Sequence, residues 1–213
     1  FEQLRLEMVN GISLVVERTV LRQGVERIIE AAAHAPGGIE QPRQPDGAKR
    51  VEPVGILHDL RDGPGLIEAV DAFPKPVIAA LNGITLAGGL ELVLCCDLVL
   101  AARSAKIGDA HANYGLLPGG GGSVRLPRAI GPARAKYLLF TGEFVAASEL
   151  VAAGLVNQVV DDEQLESATQ AVADKIATKS PLGLRRMKAL VDDGLQQSMD
   201  TALRLELLAC EVH

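Results

Sequence analysis

The chain has 213 residues, 48% of them hydrophobic and 22 of them glycine, with a formal net charge of -6; it is long enough to bury a sizeable core and fits one domain, two at most. Its Lys and Arg are scattered through an acidic background, which argues against a nucleic-acid partner. No apolar run reaches the ~18 residues of a membrane helix, and no signal-peptide pattern opens the sequence. Three cysteines, two of them adjacent at Cys95 and Cys96, make neither a disulfide framework nor a zinc pattern. The four histidines, His34, His58, His111 and His213, have no ligand spacing among them. The expectations are therefore no membrane contact, no metal and a reduced, cytoplasmic setting.

In chain order, Leu4 to Val9 and Ile12 to Val16 read as short strands around the Asn10-Gly11 hairpin signal. Leu21 to Ala35 is helical, because Leu21, Val25, Ile28, Ile29 and Ala32 fall on one face. Ala35 to Asp46, with Pro36, Gly37, Gly38, Pro42 and Pro45, is a loop. Pro53 to Phe73 reads as helix interrupted at Gly63-Pro64-Gly65, and Pro74-Lys75-Pro76 forces the chain to extend. Val77 to Leu81 is then a buried strand, Gly83 a turn, and Leu90 to Cys96 a helix opened by Gly88-Gly89.

Further strands are expected at Val99 to Ala102, Ala105 to Gly108 and Val156 to Val160. Gly119 to Gly122 precede a helix; another runs from Pro132 to Phe140, with proline in its first turn, and a third from Ala147 to Ala153, closed by Gly154. The chain finishes with a long helix from Leu165 to Thr178 and an amphipathic pair, Leu182 to Asp193 and Met199 to Glu211.

A strand that feeds glycines into a helix aims unpaired N–H groups at whatever lies in front of it, a geometry suited to phosphates, carboxylates or oxyanions. A dinucleotide-binding reading fails, because the glycines follow no N-terminal strand with an acidic residue ~20 positions on. Glu91 falls in the first turn of the same helix, where a carboxylate also complements the helix dipole.

The order and spacing of Asn82-Gly83, Ala87-Gly88-Gly89, Glu91-Leu92, Cys96-Asp97, Gly115, Pro118-Gly119, Gly121-Gly122, Leu126-Pro127-Arg128, Thr141-Gly142 and Gly154-Leu155-Val156 carry a specific signal. Together they resemble the enoyl-CoA hydratase/isomerase (crotonase) superfamily from about Phe73 to Lys188. The resemblance implies an α/β, crotonase-like (ClpP/crotonase) fold: stacked β-β-α units in two roughly perpendicular sheets, residues 1–160 as the core domain and 161–213 as a C-terminal helical oligomerisation region. It implies a homotrimer or dimer of trimers, an acyl-CoA thioester as substrate, and no cofactor beyond the substrate's own coenzyme A.

The implied chemistry is an enolate-like thioester oxygen held by backbone amides, one of them that of Gly88. Fixed donors aimed at the oxygen where charge develops are worth ~10²–10³ in rate each. Glu91 matches a family acid/base glutamate. The position four residues before Gly115 carries the second catalytic glutamate in family hydratases, and here it is His111. An imidazole can also take or give a proton, so the catalytic set is Glu91, His111 and Gly88. Asp109 either orients that imidazole or belongs to a surface loop. Gly88, Gly89, Gly119, Tyr114, Leu86 and Leu117 are the expected substrate-binding residues; Gly119 to Gly122 cradle the substrate or a water, or answer to tight packing alone. Tyr114 and Phe140 are expected in the acyl pocket or the core, Arg128 in an ion pair or a subunit contact, and Lys188 on a solvated helix face.

The family supplies its second oxyanion amide from an upstream Gly-x-Asp loop. Pro36-Gly37-Gly38-Ile39-Glu40 is the nearest counterpart, and Pro36 has no N–H to give. Shortages around Glu17 to Leu21, around Pro36 to Ile39 and beyond His213 lead to the expectation that these residues are a subset of a longer chain. The function expected is acyl-CoA processing of the hydratase or isomerase kind; the alternatives are a hydrolase branch of the fold or a binding protein without turnover.

Overall fold

A computed structural model describes residues 3–8, 12–17 and 65–213. The hairpin turn at Asn10-Gly11, the helix expected from Leu21 to Ala35, the loop to Asp46 with its Pro36 to Glu40 segment, His34, His58 and the start of the Pro53 to Phe73 helix lie outside the described residues.

Two sheets form the framework. The first has five strands in the order β1 (Gln3–Met8), β2 (Ile12–Glu17), β3 (Ile78–Leu81), β5 (Leu98–Ala102) and β8 (Gln158–Val160). The hairpin β1–β2 and the β2–β3 pair are antiparallel, while β3, β5 and β8 run parallel, with Ile78 opposite Leu98 and Leu100 opposite Gln158. The second sheet has three short strands, β4 (Ile84–Leu86), β6 (Lys106–Gly108) and β7 (Val145–Ala146). β4 and β6 are parallel, with Ile84 opposite Lys106.

Each successive unit therefore places one strand in each sheet. β3 passes through Asn82-Gly83 into β4 and then into helix α2 (Gly88–Val93); β5 passes through Arg103 to Ala105 into β6. This is the stacked β-β-α arrangement. All four residues of β3 are buried, the mark of a parallel strand covered on both faces, where alternation gives way to a continuous apolar run.

Helix α1 (Leu66–Asp71) precedes β3, and helices α3 (Gly122–Ile130) and α4 (Pro132–Thr141) follow β6. Leu81, Leu90, Leu92, Leu100, Leu126 and Leu138 fill the centre of the core. Helix α5 (Leu165–Ala177) lies against β3 and β5, with Leu165, Thr169 and Ala173 buried at successive turns. The last two helices, α6 (Pro181–Gly194) and α7 (Met199–Glu211), pack on one another, each opened by a serine that caps its first turn. Neither has a buried residue.

Several boundaries differ from the sequence reading for local reasons. The helix expected from Leu90 to Cys96 starts earlier and ends at Val93. The Asp97 carboxylate turns back to accept from the Val77 N–H at 2.7 Å, which fixes the end of that segment to the start of β3. The helix expected from Ala147 is a 3₁₀ turn, Ala147–Leu150, followed by turns up to Gly154. Strands β4 and β7, three and two residues long, were not foreseen, since so few residues carry no periodicity.

Candidate active site

The site is built where β4 hands over to α2. Ala87, the residue before the helix, sits at φ 47° and ψ -121°, a backbone state that non-glycine residues rarely adopt. Its N–H donates to the Asp109 carbonyl at 3.0 Å, and its own carbonyl accepts from the Glu91 N–H at 3.0 Å. Gly88 and Gly89 follow as the first helical residues, so their N–H groups have no intrahelical acceptor.

Glu91 is only 4% exposed, flanked by buried Leu90, Leu92 and Val93. A carboxylate in that setting needs donors, and it has them. Its Oε1 accepts from the Gly120 N–H at 2.6 Å and from the Gly122 N–H at 2.9 Å. The glycines are a steric requirement. A Cβ at Gly122 would lie 3.3 Å from Glu91 Oε1 and 3.1 Å from Pro118 Cβ, and one at Gly120 would meet Glu91 Oε2 at 2.9 Å and run into Ile67 Cδ1. The loop expected to cradle a substrate or a water thus directs two of its amides at Glu91. Gly119 makes neither bond and has open space where a Cβ would be. Gly120 was not singled out by the sequence reading; the signal was present in the unbroken run Gly119 to Gly122.

Across from this handover, Asp109 is 1% exposed and both of its oxygens face His111. Oδ1 lies 2.9 Å from His111 Nδ1, and Oδ2 accepts from the His111 N–H at 3.2 Å. Ala110 between them takes a left-handed conformation, φ 62°. Such strain persists only where the surroundings impose it, and here Ala87 and Ala110, the two described non-glycine residues at positive φ, border Gly88 and His111 respectively. Of the two readings of Asp109, the structure gives the orienting one.

The remaining candidates are distributed unevenly. Leu86 ends β4 and is half-buried, next to Ala87. Tyr114 is 70% exposed and Leu117 88% exposed, and Phe140 is exposed as well, so none of the three belongs to the core of this chain. The Asn113 side chain donates to the Gly142 carbonyl at 3.0 Å, fixing the short 3₁₀ helix His111–Tyr114 to the end of α4. Arg128 donates to the Val124 carbonyl of its own helix at 2.7 Å.

Lys188 departs from expectation: its side chain is 10% exposed and pairs with Asp97 at 2.8 Å. It also donates to the Lys75 carbonyl at 3.3 Å, which ties α6 to the approach to β3. Arg125 grips both oxygens of Asp71, at 2.8 and 3.1 Å, and so joins α3 to α1, the helix that sets Ile67 over Gly120. Cys95 hangs below the site, its thiol donating to the Glu91 carbonyl and its pKa pushed up to about 11 by burial.

Comparison with known proteins decides the lineage. A profile of the enoyl-CoA hydratase/isomerase family matches residues 62–210. The chain belongs to that family. It is 42% identical over 144 residues to a crotonyl-CoA hydratase of Syntrophomonas wolfei, an alignment that covers 68% of this chain and 55% of the relative. It is also 42% identical over 146 residues to the human enoyl-CoA hydratase domain-containing protein 2, mitochondrial, covering 67% of this chain and 50% of that one. Among solved structures, an enoyl-CoA hydratase from Bacillus anthracis superposes with a TM-score of 0.66 at 43% identity, over 68% of this chain and 56% of that one. The chain spans about half the length of the curated relatives it matches. Membership gives the stacked β-β-α units their name, the crotonase fold.

Among the described residues, no group of three or more His, Cys, Asp or Glu could hold a metal ion, and no helix is long and apolar enough to cross a membrane.

Proposed function

We propose that this member of the enoyl-CoA hydratase/isomerase family processes an enoyl-CoA thioester, with the Gly88 N–H as an oxyanion donor and Glu91 and His111 as its acid/base pair. The observation that carries the reading is the placement of a buried carboxylate, Glu91, in the first turn of the helix that Gly88 opens, held by two loop amides. A thioester carbonyl placed against the Gly88 amide gains negative charge as a nucleophile adds at Cβ or a proton leaves a neighbouring carbon. Pre-aimed donors stabilise that charge at no reorganisation cost. Proton transfer by positioned side chains contributes a further ~10²–10⁴.

Hydration of crotonyl-CoA, followed as loss of the enoyl thioester absorbance, is the direct test, and the relative named for that substrate makes it the first to try. Turnover that Glu91→Gln abolishes supports the reading. No turnover on short, long or aromatic enoyl-CoAs favours instead a crotonase-fold binding protein.

The assembly proposed is a homotrimer, or a dimer of trimers, through α6 and α7. Leu182, Met187, Val191, Leu203, Leu207 and Leu208 on these helices are all exposed in the single chain, and its own core leaves them uncovered.

A further inference from the structure

We propose that Asp109 is a positioning residue that fixes His111 as its Nδ1–H tautomer and so makes Nε2 the proton-transfer atom. The proposal rests on the functional reading above only for its catalytic consequence. Asp109 presents one oxygen to the His111 ring and the other to the His111 main chain, 2.9 Å from Nδ1 and 3.2 Å from N. A carboxylate in this bidentate seat accepts at both oxygens, so Nδ1 carries the hydrogen. In a neutral imidazole the other nitrogen is then the bare acceptor. The Asp109 side chain is 1% exposed, so water does not compete for these contacts.

The seat is also rigid. Ala110 holds its left-handed turn between the two partners, a conformation unfavourable for a residue with a Cβ and so the mark of an imposed geometry. The same Asp109 accepts the Ala87 N–H at its carbonyl, one residue before Gly88. One residue therefore sets the helix start that would face the thioester oxygen and the imidazole that would serve it.

In a hydration, the proton leaving water goes to Nε2 while the water oxygen bonds to Cβ. The π pair moves through Cα onto the thioester oxygen. As the enolate collapses, the acid/base pair returns one proton to Cα, so one water is consumed and no net proton is made or lost.

Asp109→Asn gives a sharp test, because the main-chain N–H of His111 can only donate. It takes the amide oxygen, which leaves the amide NH₂ facing Nδ1. Nδ1 must then accept, and the ring is driven to the Nε2–H tautomer. Nitrogen-15 NMR of the full chain at a pH where imidazole is neutral, with the His111 signals assigned by their loss in His111→Gln, reads this directly. The expected result is an Nδ1–H ring in the unsubstituted protein and an Nε2–H ring in Asp109→Asn. An Nε2–H ring in the unsubstituted protein overturns the proposal even if the variant does not fold.

The kinetic arm expects kcat on crotonyl-CoA to fall by about 10²–10⁴ in Asp109→Asn with KM held, as expected when an imidazole loses its orienting carboxylate. A tautomer switch with kcat unchanged refutes the catalytic consequence. Absence of turnover in the unsubstituted protein refutes the functional reading and leaves the tautomer result to decide the role of Asp109.

Discussion

Gly120→Ala isolates the contact on which the site depends. The added methyl would sit 2.9 Å from Glu91 Oε2 and 3.1 Å from its Cδ, and it would overlap Ile67 Cδ1. Ile67 can move, because the offending atom is the end of a flexible side chain. The carboxylate cannot, since the Gly120 and Gly122 amides pin its other oxygen at 2.6 and 2.9 Å. Relief therefore comes from displacing the carboxylate or the loop.

Overpacking of this kind costs about 1–3 kcal/mol, which in a chain of this size lowers Tm by about 2–12 °C. Misplacement of a reacting group by about 1 Å costs ~10²-fold in rate. Thermal unfolding and crotonyl-CoA hydration by Gly120→Ala should show both losses. Adding Ile67→Val deletes the Cδ1 atom that the new methyl meets at a cost of about 0.5–1.5 kcal/mol, and because the carboxylate contact remains, kcat of the double variant should stay low. Restored kcat in the double variant would show that the glycine matters only for packing against Ile67 and would refute the argument that it exists to admit Glu91.

Lys188→Ala should lower stability by about 1–3 kcal/mol, because it strips Asp97 of its cation and α6 of its tie to the Lys75 carbonyl; a urea midpoint equal to that of the unsubstituted chain would contradict this. Thr85→Val should be neutral or raise Tm by a few degrees, since the buried Thr85 hydroxyl has no hydrogen-bond partner among the described residues. Burial pushes the Cys95 thiol up to about 11 and raises that of Cys96 further, so near pH 8 both stay protonated and unreactive. A disulfide-exchange reagent should leave Cys95 and Cys96 unmodified in the native protein and titrate all three thiols after denaturation. Leu203→Glu with Leu207→Glu, one turn apart on the exposed face of α7, should convert the proposed trimer to monomers by light scattering with an unchanged far-ultraviolet circular dichroism spectrum; a monomeric unsubstituted chain would remove the basis for that assembly.

The sequence by itself determined the elements whose signals are local. The apolar runs of β3 and β5 and the helices that begin near Pro132, Leu165 and Leu182 lie where periodicity and capping residues put them, and Met199–Glu211 matches residue for residue. It also determined the family, because ten separated motifs at fixed spacing constrain a backbone path more tightly than any one of them. Glu91 and His111 were visible as candidates on the same ground.

What tertiary structure decided is who answers each polar group. The amides that hold Glu91 lie 29 and 31 positions away, and Lys188 finds Asp97 at a separation of 91. No local pattern carries such pairings, because they arise only when separate units stack and bury their carboxylates together. The 3₁₀ turn at Ala147 and the strands β4 and β7 were set in the same way, by what packs against them. The two readings of Asp109 were equally compatible with its neighbours in sequence. They were separated by a left-handed Ala110, which turns the carboxylate back onto the following imidazole and takes it out of water.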